Sequence, residues 1–505
     1  MQNEVREMQK YFKRTSPEAE GLDSMKIKLF LQELDRCGFN LRTLLIIRHG
    51  HVVAEAAKYP FLPEDKRLVY SCSKSFTGTA VGIAEKEGLL DINDFILDYF
   101  PEYAGIELDD RVKRIKIRDL LTMSTGHGCD SVGDICNGED DWVRTFLTRT
   151  MDFEPGEKFV YDSGGTYMLS EIISRVTHQP MFEYLKKELF GQLHIEDVMW
   201  EYHGNVNTGA WGVLIAPEDL AKLGMLYLHK GIFEEQRILP EKWVQDASAH
   251  QIDTGFSNPA GWSQGYGYQI WKNNETSFRM DGAFGQYCMV FPKEDMIVVT
   301  TAEECNAARM FPLIEKYLLK ELSDQPYSDA ITYGELKKYI MKWETPLIYE
   351  PTESYMEQLL NQRMFEIQDE HQVKHQITFE IDNSKLELNI DQIQVIKSSA
   401  VSCLSGETSY VIMPPSVSPI IGSEQMSRKW CYSAHHEWIN DGTLQLTVWY
   451  RETGHIQKWL FVFVEDTVEI IISNSIKRFF GLFPIKSDRN VDFGDMILRG
   501  RKINK

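Results

Sequence analysis

Val69-Tyr70-Ser71-Cys72-Ser73-Lys74-Ser75-Phe76-Thr77 runs into the apolar stretch Ala80-Val81-Gly82-Ile83-Ala84, and the reading of the whole chain hangs on it. The stretch contains Ser-x-x-Lys, at Ser71 and Lys74, and no other such pair occurs in the 505 residues. A serine hydroxyl is a poor nucleophile at neutral pH and needs a base beside it. Residues three apart on a helix share a face. A helix starting near Ser71 therefore holds the Lys74 amine against the Ser71 hydroxyl. Burial beside the apolar run depresses the lysine pKa, because desolvation disfavours the charged form. A neutral amine can then accept the serine proton. The helix N-terminus adds partial positive charge where an oxyanion would form.

Upstream, Leu44 to Val53 reads as a hairpin, with His49-Gly50-His51 as the polar tip between two apolar runs. Ser24 to Cys37 has helical spacing of Ile27, Leu31 and Leu34. Downstream, Ile115 to Gly126 reads as a helix stopped by the glycine, and Tyr167 to Val176 as another. Pro217 to Leu228 carries Pro and acids in its first turn, as helix starts prefer. Gln286 to Phe291 and Met296 to Thr301 are strand runs joined by Pro292-Lys293-Glu294-Asp295, and Met310 to Leu322 closes this region as a helix. From about residue 374 short alternating runs take over, among them Ile377–Ile381, Leu444–Tyr450 and Trp459–Val464. That pattern predicts an antiparallel β-barrel or sandwich. The chain divides into residues 1–325, a polar linker over 326–351 with a short amphipathic helix, Tyr333 to Trp343, and residues 352–505.

A hydrophobic fraction of 43% suits roughly two or three domains, each able to bury a core. The net charge of −21 argues against nucleic acid and anionic membranes as partners. No stretch reaches the length of a membrane span, and Met1 to Lys10 has no apolar signal core, so a cytoplasmic location is the default. A signal peptide removed upstream stays open. The eight cysteines, at 37, 72, 129, 136, 288, 305, 403 and 431, form no Cys-x-x-Cys and read as reduced thiols. His435-His436 is adjacent rather than spaced for one metal, and His49, His51 and His127 read as turn or cap residues. Trp211, Trp262 and Tyr266 read as pocket wall or core.

Tyr161-Asp162-Ser163 follows a turn at Glu154-Pro155-Gly156-Glu157 and precedes a helix, a place where active-site residues often lie. A tyrosine with a lowered pKa can shuttle the proton that the nucleophile gives up. Ser163, two residues on, can hydrogen-bond the lysine or a substrate.

Ser71-x-x-Lys74, then Tyr161-x-Ser163, then a glycine-bearing strand edge resembles the serine β-lactamase and penicillin-binding (DD-peptidase) superfamily. The branch it resembles most holds class C β-lactamases, D-aminopeptidases and β-lactamase-fold esterases. Ile117 to His127, Glu154 to Gly165 and Trp211 to Gly224 extend the likeness, which covers roughly residues 20 to 320 in the family's order. The resemblance implies an α+β fold: an antiparallel sheet flanked by helices, with a helical insertion between Ser71 and the last strands. It implies that Ser71 attacks a carbonyl, that Lys74 and Tyr161 handle protons, and that water releases the acyl-enzyme. It implies no cofactor and no metal. The substrate would be a small molecule or short peptide carrying an ester or amide. Similar family members carry a lipocalin-like β-barrel after the catalytic unit, which here would shape the entrance or an oligomer contact.

Met123 stands where the family often has a histidine, and the chain departs from the family pattern in two places that touch chemistry. The family commonly has Tyr-x-Asn, and Ser163 replaces the Asn. The usual third motif is Lys or His, then Thr or Ser, then Gly, and the chain has no such triplet. Met280-Asp281-Gly282 stands in its place, ahead of Ala283. Gly282 is expected to let substrate approach the edge, and the Ala283 N–H to join that of Ser71 as an oxyanion donor. With Met280 offering no cation and Asp281 repelling a carboxylate, uncharged esters or amides are favoured over penicillins. The alternative is a protein that binds or is slowly acylated on the same fold without turning over.

Overall fold

The computed structural model describes residues 10–137, 141–257, 261–303, 307–352, 354–361, 363–368, 374–382, 384–408, 429–475 and 496–503. The first nine residues and Cys305, on which the leader and thiol readings partly rest, lie outside them. The described chain forms two units, one of residues 1–57, 69–200 and 205–343, the other of 58–68, 201–204 and 344–505.

In the first unit, α1 (Ser24–Arg36) leads into the hairpin β1 (Asn40–Arg48) and β2 (His51–Ala57). His49 and Gly50 turn it at φ 49° and 76°, the left-handed pair that a two-residue hairpin turn needs. Then come α2 (Ser73–Lys86), α3 (Ser163–Thr177), α4 (Pro217–Leu228), β3 (Phe278–Gly282), β4 (Gln286–Phe291) and β5 (Met296–Glu303). The sheet runs Lys13–Arg14, β2, β1, β5, β4, β3, Trp271–Lys272. Its longer strands pair antiparallel, so the N-terminal hairpin sits beside the last strands in sequence.

Every residue of β4 and β5 is buried, as expected for strands covered on both faces. One face receives Ile27, Phe30, Leu31 and Leu34 of α1, which cluster with Leu44, Ile46, Met289 and Val298. The other receives α4, where a Cβ on Gly224 would lie 2.6 Å from Cys288 Sγ. Only glycine lets that helix come so close. Ala330–Glu344, within the stretch read as a linker, is a helix that belongs to the first unit as far as Trp343. Its Leu336 is buried in the α1 cluster, and its Tyr339 and Trp343 both donate to Asp35.

The second unit holds β6 (Met364–Gln368), β7 (Lys374–Asp382), β8 (Lys385–Ile390), β9 (Ile393–Ser399), β10 (Leu404–Thr408), β11 (Trp430–Asn440), β12 (Thr443–Tyr450), β13 (Ile456–Val464), β14 (Thr467–Asn474) and β15 (Met496–Ile503). Nine of these close a barrel in the order β9-β8-β7-β6-β15-β14-β13-β12-β11, sealed by a bridge from Ser399 to His435, while β10 extends β11. Alternation sets the inside: Gln457, Trp459, Phe461 and Phe463 of β13 are all buried. Phe365, Phe379, Leu446 and Ile470 join the last three in one apolar cluster. Residues 58–68 are tied to this unit, with Arg67 donating to the Arg451 carbonyl and Leu68 N to the Glu452 carbonyl. Among the described residues, no helix is long and apolar enough to cross a membrane.

Candidate active site

Ser71 lies in a tight turn, Tyr70–Cys72, and α2 begins two residues after it. Tyr70 takes φ 48°, and Phe284 beyond the edge strand takes 66°, both unusual for bulky residues. Their rings meet edge-on at 5.1 Å. Backbone strain of this kind concentrates at functional sites. Cys72 points away, buried and donating to the Gln286 carbonyl, and burial pushes its thiol pKa up. It is a packing residue rather than a reactive one.

Lys74 follows one helical turn after Ser71. Its Nζ lies 3.2 Å from Ser71 Oγ, 3.3 Å from Ser163 Oγ and 3.0 Å from the Ala210 carbonyl. Burial lowers its pKa from 10.5 to about 8, even though the charges of Asp130 and Asp162 oppose that shift. The amine is thus within reach of its neutral, proton-accepting form.

The Tyr161 ring lies under Lys74, with Nζ 4.8 Å from the ring centre, and the phenol pairs with Ser71. Its pKa is not lowered, as the sequence reading expects, but raised well above the usual value. Burial is the main cause, joined by Asp281 and Asp130, against the Ser71 hydrogen bond. A phenol held neutral donates a proton and does not serve as a resting base.

The chain around Tyr161 is fixed by a buried polar network. The helix read over Ile115 to Gly126 ends early, at Leu121. Met123 turns left-handed at φ 57°, and its carbonyl receives Val160 N, which brings Tyr161 inward. Asp162 caps α3 by accepting from Gly164 N, and it also accepts from Ser131 N. His127 Nδ1 lies 3.0 Å from its other oxygen. Burial opposes ionisation of Asp162, but His127 and Ser131 outweigh it and hold its pKa down at about 2. His127 is therefore a buried support, in keeping with a structural reading. Asp130 is the residue that sequence reasoning missed. Its carboxylate accepts from Ser163 N at 2.8 Å and from Ser163 Oγ at 3.1 Å. Burial, then the charge on Asp162, raises its pKa to about 6. It bears no fixed spacing to Lys74; only the turn after Gly126 brings it there.

The edge strand differs from its sequence reading. Met280 is fully buried. Arg279, equally buried, lies against Asp281, with Nε donating to Oδ2 at 2.8 Å. Trp262 Nε1 donates to the same oxygen at 3.0 Å. A cation is therefore present at this edge, one residue before the place where the motif was sought, and Asp281 is not a bare repulsive charge. Gly282 is also constrained by packing. A Cβ there would lie 2.2 Å from the Val69 carbonyl oxygen. The glycine lets β3 touch the chain leading into Ser71. Ala283 follows in the turn Ala283–Gly285.

Beside Tyr161 stands an aromatic wall. Trp271 stacks on it at 5.9 Å and 21°, with Phe159, Trp262 and Tyr266 packed around. Phe256 and Tyr161 are the half-buried members of this group. In the second unit His435 Nδ1 donates to the Ser399 carbonyl at 2.9 Å and its ring stacks on Tyr349 at 3.6 Å, while His436 Nδ1 pairs with Ser398. Among the described residues, no group of three or more His, Cys, Asp or Glu is arranged to hold a metal.

A model of the family described as Beta-lactamase matches residues 40–304, more than half of the chain. The 6-aminohexanoate-dimer hydrolase of Paenarthrobacter ureafaciens is 27% identical over 284 residues, covering 50% of this chain and 70% of that protein. A candidate D-alanyl-D-alanine carboxypeptidase of Salmonella agona is 22% identical over 276 residues, covering 44% of this chain and 64% of its own length. The match thus spans a little under two thirds of that relative. Among solved structures, a candidate 6-aminohexanoate-dimer hydrolase from Bacillus anthracis superposes with a TM-score of 0.51 at 17% identity, covering 61% of this chain and 86% of that one. That last likeness speaks for the fold.

Proposed function

The chain belongs to the beta-lactamase family, a family of serine hydrolases, and on that premise we propose that it hydrolyses an ester or amide through an acyl-enzyme on Ser71. The observation that carries this reading is the 3.2 Å approach of a buried, pKa-lowered Lys74 amine to Ser71 Oγ. Neutral Lys74 takes the Ser71 proton as Oγ attacks the carbonyl carbon. The N–H groups of Ser71 and Ala283 receive the developing oxyanion. Neutral Tyr161 passes a proton to the departing amine or alkoxide, and the resulting phenolate is restored from Lys74. Water then enters by the same proton path in reverse and frees the acid.

Arg279 and Asp281 offer a neutral pair rather than a free cation, which favours substrates without a carboxylate at that edge. The aromatic wall favours an apolar acyl group. A relative named as a 6-aminohexanoate-dimer hydrolase weighs toward amides.

The test is intact-protein mass spectrometry of the wild type and Ser71→Ala with short-chain nitrophenyl esters, linear amides and a fluorescent penicillin, while product release is followed. Turnover or an adduct that vanishes in Ser71→Ala supports the reading. Hydrolysis unchanged in Ser71→Ala overturns it. An adduct that forms on Ser71 and never releases points to the non-turnover alternative.

A further inference from the structure

A neutral amine has two hydrogens and one lone pair. For Lys74 to act as a base, that lone pair must face the Ser71 hydroxyl. The other two neighbours of Nζ must then both accept. The Ala210 carbonyl, at 3.0 Å, can only accept. Ser163 Oγ, at 3.3 Å, is ambiguous, since a hydroxyl can accept or donate. If it donated, it would occupy the lone pair and quench the base. An amide oxygen would not have this freedom, and amide is what the family commonly has at this position.

Asp130 removes the ambiguity. Its carboxylate takes Ser163 N–H on one oxygen and the Ser163 hydroxyl on the other, at 2.8 and 3.1 Å. With its hydrogen committed there, Ser163 Oγ has only lone pairs to show Lys74. Charge-assisted bonds of this kind are the stronger competitors for a hydroxyl hydrogen. We propose that Asp130 is a positioning residue: it turns Ser163 into a pure acceptor, so that serine and carboxylate together replace an amide and leave the Lys74 lone pair to Ser71.

The inference rests on the hydrolase reading above. The groups around Asp130 are Lys74 from α2, Tyr161 and Asp162 from the turn just before α3, and Arg149, whose guanidinium reaches the Asp130 carbonyl at 3.5 Å. His127 lies beyond Asp162. Asp130 is thus a second negative charge close to Lys74. It holds the amine pKa up against burial, and removing it lets that pKa fall further.

Two separable effects follow. Asp130→Ala should lower kcat/KM on the high-pH plateau by about 10²-fold, the cost of a reacting group misplaced by roughly 1 Å. It should also move the acid limb of the profile to lower pH. Ser163→Asn in the Asp130→Ala background should recover most of the plateau, because an amide oxygen accepts unaided. It should not return the limb, because the charge is still missing. Asp130→Asn, which keeps the shape, serves if Asp130→Ala does not fold, and the limb should shift in the same direction. Asp130 variants with the wild-type plateau and limb overturn the inference. So does a folded double variant that recovers nothing. A wild type that shows no Ser71-dependent acylation overturns the hydrolase reading and this inference with it.

Discussion

Lys74 and Arg279 are equally buried, at 2% and 1% exposure, yet they are held in opposite ways. Lys74 spends its hydrogen bonds on two hydroxyls and a carbonyl. Arg279 lies directly on a carboxylate, Asp281, and donates on its other side to Asn273. Burial disfavours both charges; only the choice of partner differs. Neutral acceptors leave the lysine able to lose its proton, whereas a guanidinium is a fixed cation by its own chemistry and here lies on a carboxylate. The difference teaches that a buried cation is chemical or structural according to what touches it.

The sharpest way to break that contrast is to make Lys74 behave as Arg279 does. Lys74→Arg keeps a positive charge and removes the possibility of deprotonation. It should abolish hydrolysis as thoroughly as Ser71→Ala, on the order of 10³-fold or more in kcat, since members of one catalytic unit are not additive. Steady-state kinetics on the best ester or amide checks this. Substantial activity in Lys74→Arg would mean that another group takes the serine proton.

The second effect is on stability. Asp281→Ala leaves Arg279 buried without its partner, and breaking such a pair costs about 3–5 kcal/mol. Adding Arg279→Met should restore most of that loss, because a well-packed apolar replacement is often neutral. Lys74→Met, by contrast, should keep its unfolding midpoint while losing activity. Urea unfolding of the four proteins checks this. Equal losses for Lys74→Met and Asp281→Ala would erase the distinction between the two cations.

The sequence lends itself to one side of this comparison and hides the other. Ser71 and Lys74 are three apart on one helix, so local periodicity brings them together. The hairpin at His49-Gly50, the strands on either side of Pro292 to Asp295, and the alternating β-runs of the barrel are legible for the same reason, since each is decided by neighbours in the chain. Asp130 carries no such mark. It reaches Ser163 because Met123 and Gly126, both left-handed, fold the intervening turn back on itself. Register hides Arg279: with a period of two, the residue sharing a face with Asp281 is Arg279, not Met280. The raised pKa of the Tyr161 phenol is not legible in the sequence, because it comes from burial first and then from Asp281 and Asp130, all of which tertiary structure supplies.

Gly282 tests how tightly the two sides are joined. The predicted 2.2 Å clash of a Cβ with the Val69 carbonyl cannot be relieved by rotating a side chain, since the obstacle is backbone. Gly282→Ala should therefore displace either β3 or the turn that carries Ser71. A misplacement of about 1 Å can cost roughly 10²-fold in rate. The loss should fall mainly on kcat, with the protein still folded. An unimpaired Gly282→Ala would mean that the strand and the Ser71 turn move independently.

The smallest effect is the most direct reading of how Lys74 is held. If the neutral amine is the base, kcat/KM follows the neutral fraction. It should rise with pH, level off above about 8, and fall tenfold for each pH unit below that. The sign follows from the direction of the shift: burial lowers the pKa, so the active form is populated at a lower pH than for an exposed lysine. Tyr161 adds no alkaline limb near this range, because its pKa is raised and the phenol stays protonated. A profile flat from pH 6 to 9, measured over a range in which the protein stays folded, would place the proton acceptor elsewhere. A limb near the 10.5 of an unperturbed lysine would mean that burial does not depress the amine, and that Lys74 is held as a structural cation rather than a base.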